Sequence, residues 1–159
     1  KPFTPFQWFG QDSLETIVQK QMHMKDYITS KKISFKYHAS KTSVLEAVFA
    51  RGDRRLCDVV YRAWKNGCHF DSWDEHFHFD RWLKAMEECG LTVEFYANRH
   101  REYGEIFPWN HLDYGVSEAF LHREWIKAQQ AVTTPNCREQ CAGCGASQLL
   151  EYKGGKCVE

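Results

Sequence analysis

The chain has 159 residues, 43% of them apolar, which is enough for one domain with a real core and too few for two large ones. Lys and Arg number 21 and so do Asp and Glu, so no global field draws the chain to nucleic acid or to an anionic membrane, and any such binding needs a local patch. Apolar runs are only a few residues long and no secretory signal opens the chain, which argues against a membrane-spanning helix and predicts a soluble, cytoplasmic protein.

The chain opens on a Pro-punctuated stretch, KPFTPFQW. Asp12 with Glu15 then has the pattern of a capping box, and Leu14, Ile17, Val18, Met22 and Met24 to Tyr27 carry an amphipathic helix to Ser30. ISFKYH alternates Ile33, Phe35 and Tyr37 with Ser34, Lys36 and His38, the period of a short strand. Ser43 with Glu46 opens a second helix through VLEAVFA, which Gly52 ends. Asp53 is placed to cap a third, RRLCDVVYRAWKN, whose Leu56, Val59, Val60, Ala63 and Trp64 have core spacing. Ser72 with Glu75 repeats the capping pattern ahead of HFHFDRWLKAMEEC, stopped by Gly90. LTVEFYA predicts a second strand, REYGEIFPWNHLDYG a loop, and Ser117 the cap of a last helix through Ala131. TTPN breaks that helix and a cysteine-rich tail follows. The expected class is α+β and mainly helical.

Seven cysteines, three of them within eight residues, fit a disulfide framework poorly and a metal site in a reducing compartment well. Cys137, Cys141 and Cys144 have C-x3-C-x2-C spacing, thiolates are natural ligands for zinc and iron–sulfur clusters, and Gly143 and Gly145 let the chain turn between them. Cys157, after the Gly154–Gly155 pair, is the candidate fourth ligand, while Cys57, Cys68 and Cys89 read as buried helix-face residues. Radical S-adenosylmethionine enzymes hold their catalytic cluster with this spacing, but on a barrel that follows the motif, and only fifteen residues follow Cys144. A structural zinc or an auxiliary [4Fe-4S] cluster is the expectation that remains.

Three further groups carry chemistry. RGDRR gathers Arg51, Arg54 and Arg55 around Asp53, and guanidinium forks suit an anionic substrate or an RNA backbone. His111 and Asp113, in PWNHLDYG, pair an imidazole with a carboxylate in a loop, as acid–base work or substrate positioning requires. His69, His76 and His78 lie among Asp71, Asp74 and Asp80, but i, i+2 spacing puts His76 and His78 on different helix faces, which argues against a shared ion.

KPFTPFQWFGQDSLETIVQKQ resembles the late-barrel segment of cobalamin-binding-type radical S-adenosylmethionine proteins. SVLEAVFARGDRRLCDVVYRAWKNG, FDSWDEHF and PWNHLDYGVSEAFLHREW are similar to the carboxy-terminal region of one uncharacterised branch of that superfamily, which also ends in a T-x-D/N-C stretch and a small cysteine cluster. The resemblance covers nearly the whole chain. It implies the carboxy-terminal part of a larger enzyme, whose S-adenosylmethionine, [4Fe-4S] cluster and cobalamin belong to upstream parts, and whose missing barrel segment is the partner of this chain. It implies closing βα elements of a partial β/α barrel over 1–52, a helical extension over 53–132 and a Cys-rich metal-binding tail over 133–159. It places the KPFTPF loop and His38, at the end of the first expected strand, nearest a substrate. Such a chain is not catalytic alone. The alternative is an autonomous, zinc-organised binding module for RNA or protein, working through the arginine cluster.

Overall fold

The computed structural model describes residues 1–146, and they form two compact units, one made of Lys1–Trp8 with the chain from Arg101 onward, the other of Phe9–His100. The elements are a 3-10 turn Pro5–Trp8, then α1 (Leu14–Tyr27), α2 (Ser40–Ala50), α3 (Leu56–Lys65), α4 (Phe79–Glu88), a π-helical turn Glu94–Asn98, and α5 (Glu118–Gln129). No described helix is long and apolar enough to cross a membrane.

No strand occurs among the described residues, so the expectation of an α+β chain built from closing βα elements of a partial β/α barrel is overturned. ISFKYH is irregular, with Ile33 and Tyr37 exposed, and Phe35 lies against Tyr37 of its own segment, ring centres 5.1 Å apart. LTVEFYA turns instead into the π-helical segment, which buries the consecutive residues Tyr96 and Ala97. Strand alternation would put that pair on opposite faces. A short alternating run becomes a strand only where a neighbouring edge accepts its backbone groups, and no such edge occurs among the described residues.

In the Phe9–His100 unit, α3 buries Leu56, Val59 and Ala63 against Ala85 and Met86 of α4, with Val48, Tyr96 and Ala97 completing the core. Val60 and Trp64, expected on that face, are half-exposed at its flank. A second cluster joins Val44, Leu45 and Phe79 to Leu14 and Ile17 of α1. The α1 cap is Ser13, whose hydroxyl accepts from the Thr16 amide at 3.2 Å, and Asp12 pairs with Lys20 at 2.5 Å instead. Ser43 lies inside α2, which begins at Ser40 after Ala39, and Phe79 begins α4 after His78. Capping patterns occur more often than caps, because Ser and Asp also favour ordinary turns.

The other unit has a core of Trp8, Phe107, Trp109 and Leu121, ringed by Phe3, Tyr114, Val116, Phe120 and Trp125. Its 3-10 turn lies against α5. Here the expected cap holds, since Ser117 Oγ accepts from the Phe120 amide at 3.2 Å. The buried Arg101 guanidinium lies over Phe107 and Trp109, 5.3 and 5.4 Å from the ring centres, a cation–π arrangement that lets a charge enter an aromatic core.

Candidate functional site

A concavity lies within the Lys1–Trp8 and Arg101-onward unit. It starts from Gln7, a buried amide in the 3-10 turn. Gln7 Oε1 accepts from the Phe3 amide at 3.2 Å and from the Trp109 indole Nε1–H at 3.1 Å, so one carbonyl oxygen joins the opening KPFTPFQW stretch to the PWNHLDYG loop. The loop itself descends by turns, with the Asn110 amide donating to Phe107 O and the Leu112 amide to Trp109 O. Asp113 Oδ1 then accepts from the Gly115 amide at 2.8 Å, an Asx turn in which Gly115 takes φ +82°. Phe3 reaches across to Tyr114, ring centres 4.3 Å apart, and stands edge-on to Trp109 at 6.5 Å. Its own φ of +59° is unusual for a residue with a Cβ, and the Gln7 bond to its amide helps hold it there.

Between these groups is a cavity of about 320 Å³, lined by Phe3, Gln7, Trp109, Tyr114, Leu121 and the more exposed Asn110, His111, Asp113, Ser117 and Glu118. Burial pushes the Tyr114 hydroxyl above the usual phenol range, and the Glu118 carboxylate adds to the effect. His111 and Asp113 thus share one cavity wall, as acid–base or positioning groups must. Sequence reasoning had singled out the KPFTPF loop, His111 and Asp113, but missed Gln7, Trp109, Tyr114 and Glu118. Gln7 and Trp109 are 102 positions apart, and nothing in either neighbourhood signals the pairing.

His38 is exposed between α1 and α2; its carbonyl accepts from Gln21 Nε2 at 3.1 Å, and it does not line this cavity. The arginines do not project together. Arg51 is buried and donates to three carbonyls, Nε to Tyr96 O at 2.8 Å, Nη1 to Phe9 O at 2.6 Å and Nη2 to Arg99 O at 3.2 Å. Arg55 forms a two-pronged pair with Asp53, Nη2 to Oδ2 at 2.6 Å and Nε to Oδ1 at 3.0 Å. The hydrogen bonds from Arg55, with a smaller one from the Tyr96 hydroxyl, hold the Asp53 carboxyl down to about 2. Arg54 is exposed.

Cys137 and Cys141 are exposed and Cys144 is half-buried. Among the described residues no three His, Cys, Asp or Glu side chains group to hold a metal, and Cys157 lies outside those residues. The tail is held by its backbone instead. Cys144 O accepts from the Ser117 amide at 2.8 Å, Arg123 Nη2 donates to Ala142 O at 2.5 Å, and Cys144 Sγ faces the Ala146 amide at 3.5 Å. Gly145, at φ +99°, lies so close to the Gly115 carbonyl that a Cβ would sit 2.9 Å from that oxygen. In this arrangement the described thiols do not fit a shared zinc or cluster. His69, His76 and His78 likewise form no metal group; Asp71 Oδ2 accepts from the Trp82 indole at 2.8 Å. No family model, curated protein or solved structure matches the chain.

Proposed function

We propose that this chain is the substrate-binding, carboxy-terminal part of a radical S-adenosylmethionine enzyme, with the cavity beside Gln7 and Trp109 as its substrate pocket. One observation carries the reading. Two of the blocks that resemble that superfamily, KPFTPFQW and PWNHLDYG, meet across 102 positions of chain through the bond from Trp109 Nε1–H to Gln7 Oε1 at 3.1 Å. Two loops brought together around a cavity that presents an imidazole and a carboxylate are the form of a substrate site. In this role Phe3, Trp109 and Tyr114 exclude water from one side of a bound molecule, Gln7 keeps the two loops in register, and His111 and Asp113 move or hold a proton on it. Radical initiation belongs to upstream parts, where S-adenosylmethionine and its cluster supply a carbon-centred oxidant. The alternative of an RNA-binding module is less well supported, because Arg51 and Arg55 are already engaged by protein oxygens.

The test is on the full-length protein that carries this chain. Reconstituted with iron and sulfide without oxygen and then reduced, it is expected to cleave S-adenosylmethionine, whereas the 159-residue chain alone is not. An upstream segment without a three-cysteine loop, or a reconstituted whole protein that leaves S-adenosylmethionine intact, overturns the proposal.

A further inference from the structure

We infer that the ligand of the cavity beside Gln7 and Trp109 is a small organic cation carrying an alkylated ammonium group; the inference rests on that cavity being the substrate pocket. The charge of the lining is the first reason. Asp113 and Glu118 are on it, and neither Lys nor Arg is. Among the described residues no cationic side chain pairs with either carboxylate: Asp113 uses one oxygen on the Gly115 amide, and Glu118 has no ion pair. The amino-terminal end of α5 opposes them, but it is worth about half a positive charge, against a full negative charge on Glu118 in its own first turn. The acidic side chains on the lining thus favour a cation over an anion.

The second reason is the wall. Phe3, Trp109 and Tyr114 put three aromatic rings on it, with the Phe3 ring centre 4.3 Å from that of Tyr114 and 6.5 Å from that of Trp109. Aromatic faces attract cations electrostatically, and alkylated ammonium groups most effectively, because they are large, weakly hydrated and have few or no N–H groups to lose from water. A primary ammonium would instead need several oxygen acceptors at hydrogen-bond distance, and on the buried side of this cavity, among the rings and Leu121, the Gln7 side-chain oxygen already accepts from the Phe3 amide and the Trp109 indole. The same unit already accommodates a buried cation in this manner, since Arg101 lies over Phe107 and Trp109. Carboxylates at the mouth with rings behind them give an outer electrostatic attraction and an inner apolar fit.

The experiment titrates the 159-residue chain with choline and with its neutral carbon isostere, 3,3-dimethylbutan-1-ol, following the Trp109 indole N–H resonance assigned from Trp109→Phe. Choline is expected to shift that resonance and to bind about tenfold more tightly than the isostere, with Asp113→Asn and Glu118→Gln each weakening it several-fold and high salt weakening it further. Both variants keep side-chain shape and hydrogen-bonding capacity, and their circular dichroism checks the fold. Equal binding of the two probes, no shift with choline at millimolar concentration, or folded variants that bind choline as tightly as the parent would each overturn the inference. S-adenosylmethionine cleavage by the whole protein is a separate readout. Cleavage without choline binding removes the ligand class and leaves the enzyme reading; choline binding without cleavage does the reverse.

Discussion

Asp53 shows how one carboxylate can redirect a run of arginines. In RGDRR the sequence offers three cations around one acid, a pattern that reads equally well as an anion clamp or a self-satisfied turn. Asp53 accepts from the Arg55 amide and from its guanidinium, and Arg55 lies over Phe95 at 5.2 Å, so the turn is self-satisfied on that side. The carboxyl is held at about 2 in the folded chain, below the ordinary value of 3.8, so protons bind the unfolded state more readily. Its stabilising effect is therefore complete above about pH 4 and is lost as pH falls through about 2. Urea midpoints measured from pH 5 to pH 2 are expected to fall more steeply for the parent than for Asp53→Asn; parallel profiles would show that the pair contributes nothing. The exposed Arg55 partner keeps the effect modest.

At the scale of elements, helices were legible wherever a 3.6-residue period was long enough to define a face. The α3 pattern of Leu56, Val59 and Ala63 is buried as its spacing requires. Boundaries were less legible, because Ser13 and Asp12 are both competent caps and only the path of the preceding chain selects between them. That path is set by a close approach. Gly10 is buried against the π-helical turn, where a Cβ would lie 1.9 Å from Asn98 O, and next to it the Gln11 amide donates to Ala97 O at 2.7 Å. Gly10→Ala is expected to cost about 3 kcal/mol in equilibrium denaturation, since both atoms in conflict belong to the backbone and neither can rotate away. A change below about 0.5 kcal/mol would mean the approach is looser than described. The strand expectations failed at this same scale, because ISFKYH and LTVEFYA each satisfy the local period while nothing local states whether a second edge will arrive.

At the scale of the whole molecule, long-range polar contacts close each unit. Arg51 links Phe9, Tyr96 and Arg99, residues near both ends of the Phe9–His100 unit, through their carbonyls. Arg51→Met keeps the buried stem and removes the donors, and is expected to destabilise the chain by about 3 kcal/mol or more, read from the denaturation midpoint, because three carbonyls lose a charged donor at once. A near-neutral result would show that water or other donors replace it. In the other unit Gln7 has the corresponding role, joining the opening turn to the Trp109 loop.

By itself the sequence determined the elements whose causes are local: the helical periods, the Ser117 cap, the loop character of PWNHLDYG, and the absence of a charge imbalance that would name a partner. Only the tertiary structure decided that alternating segments stay unpaired, that Arg51 turns inward to carbonyl oxygens, that the described thiols stay ungrouped, and that Gln7 meets Trp109 across 102 positions. The reason is the same in each case. A period or a cap is set by neighbours within a turn or two of chain, whereas a hydrogen-bond partner, a sheet edge or a cavity wall is supplied by whatever segment the packing of the core brings there.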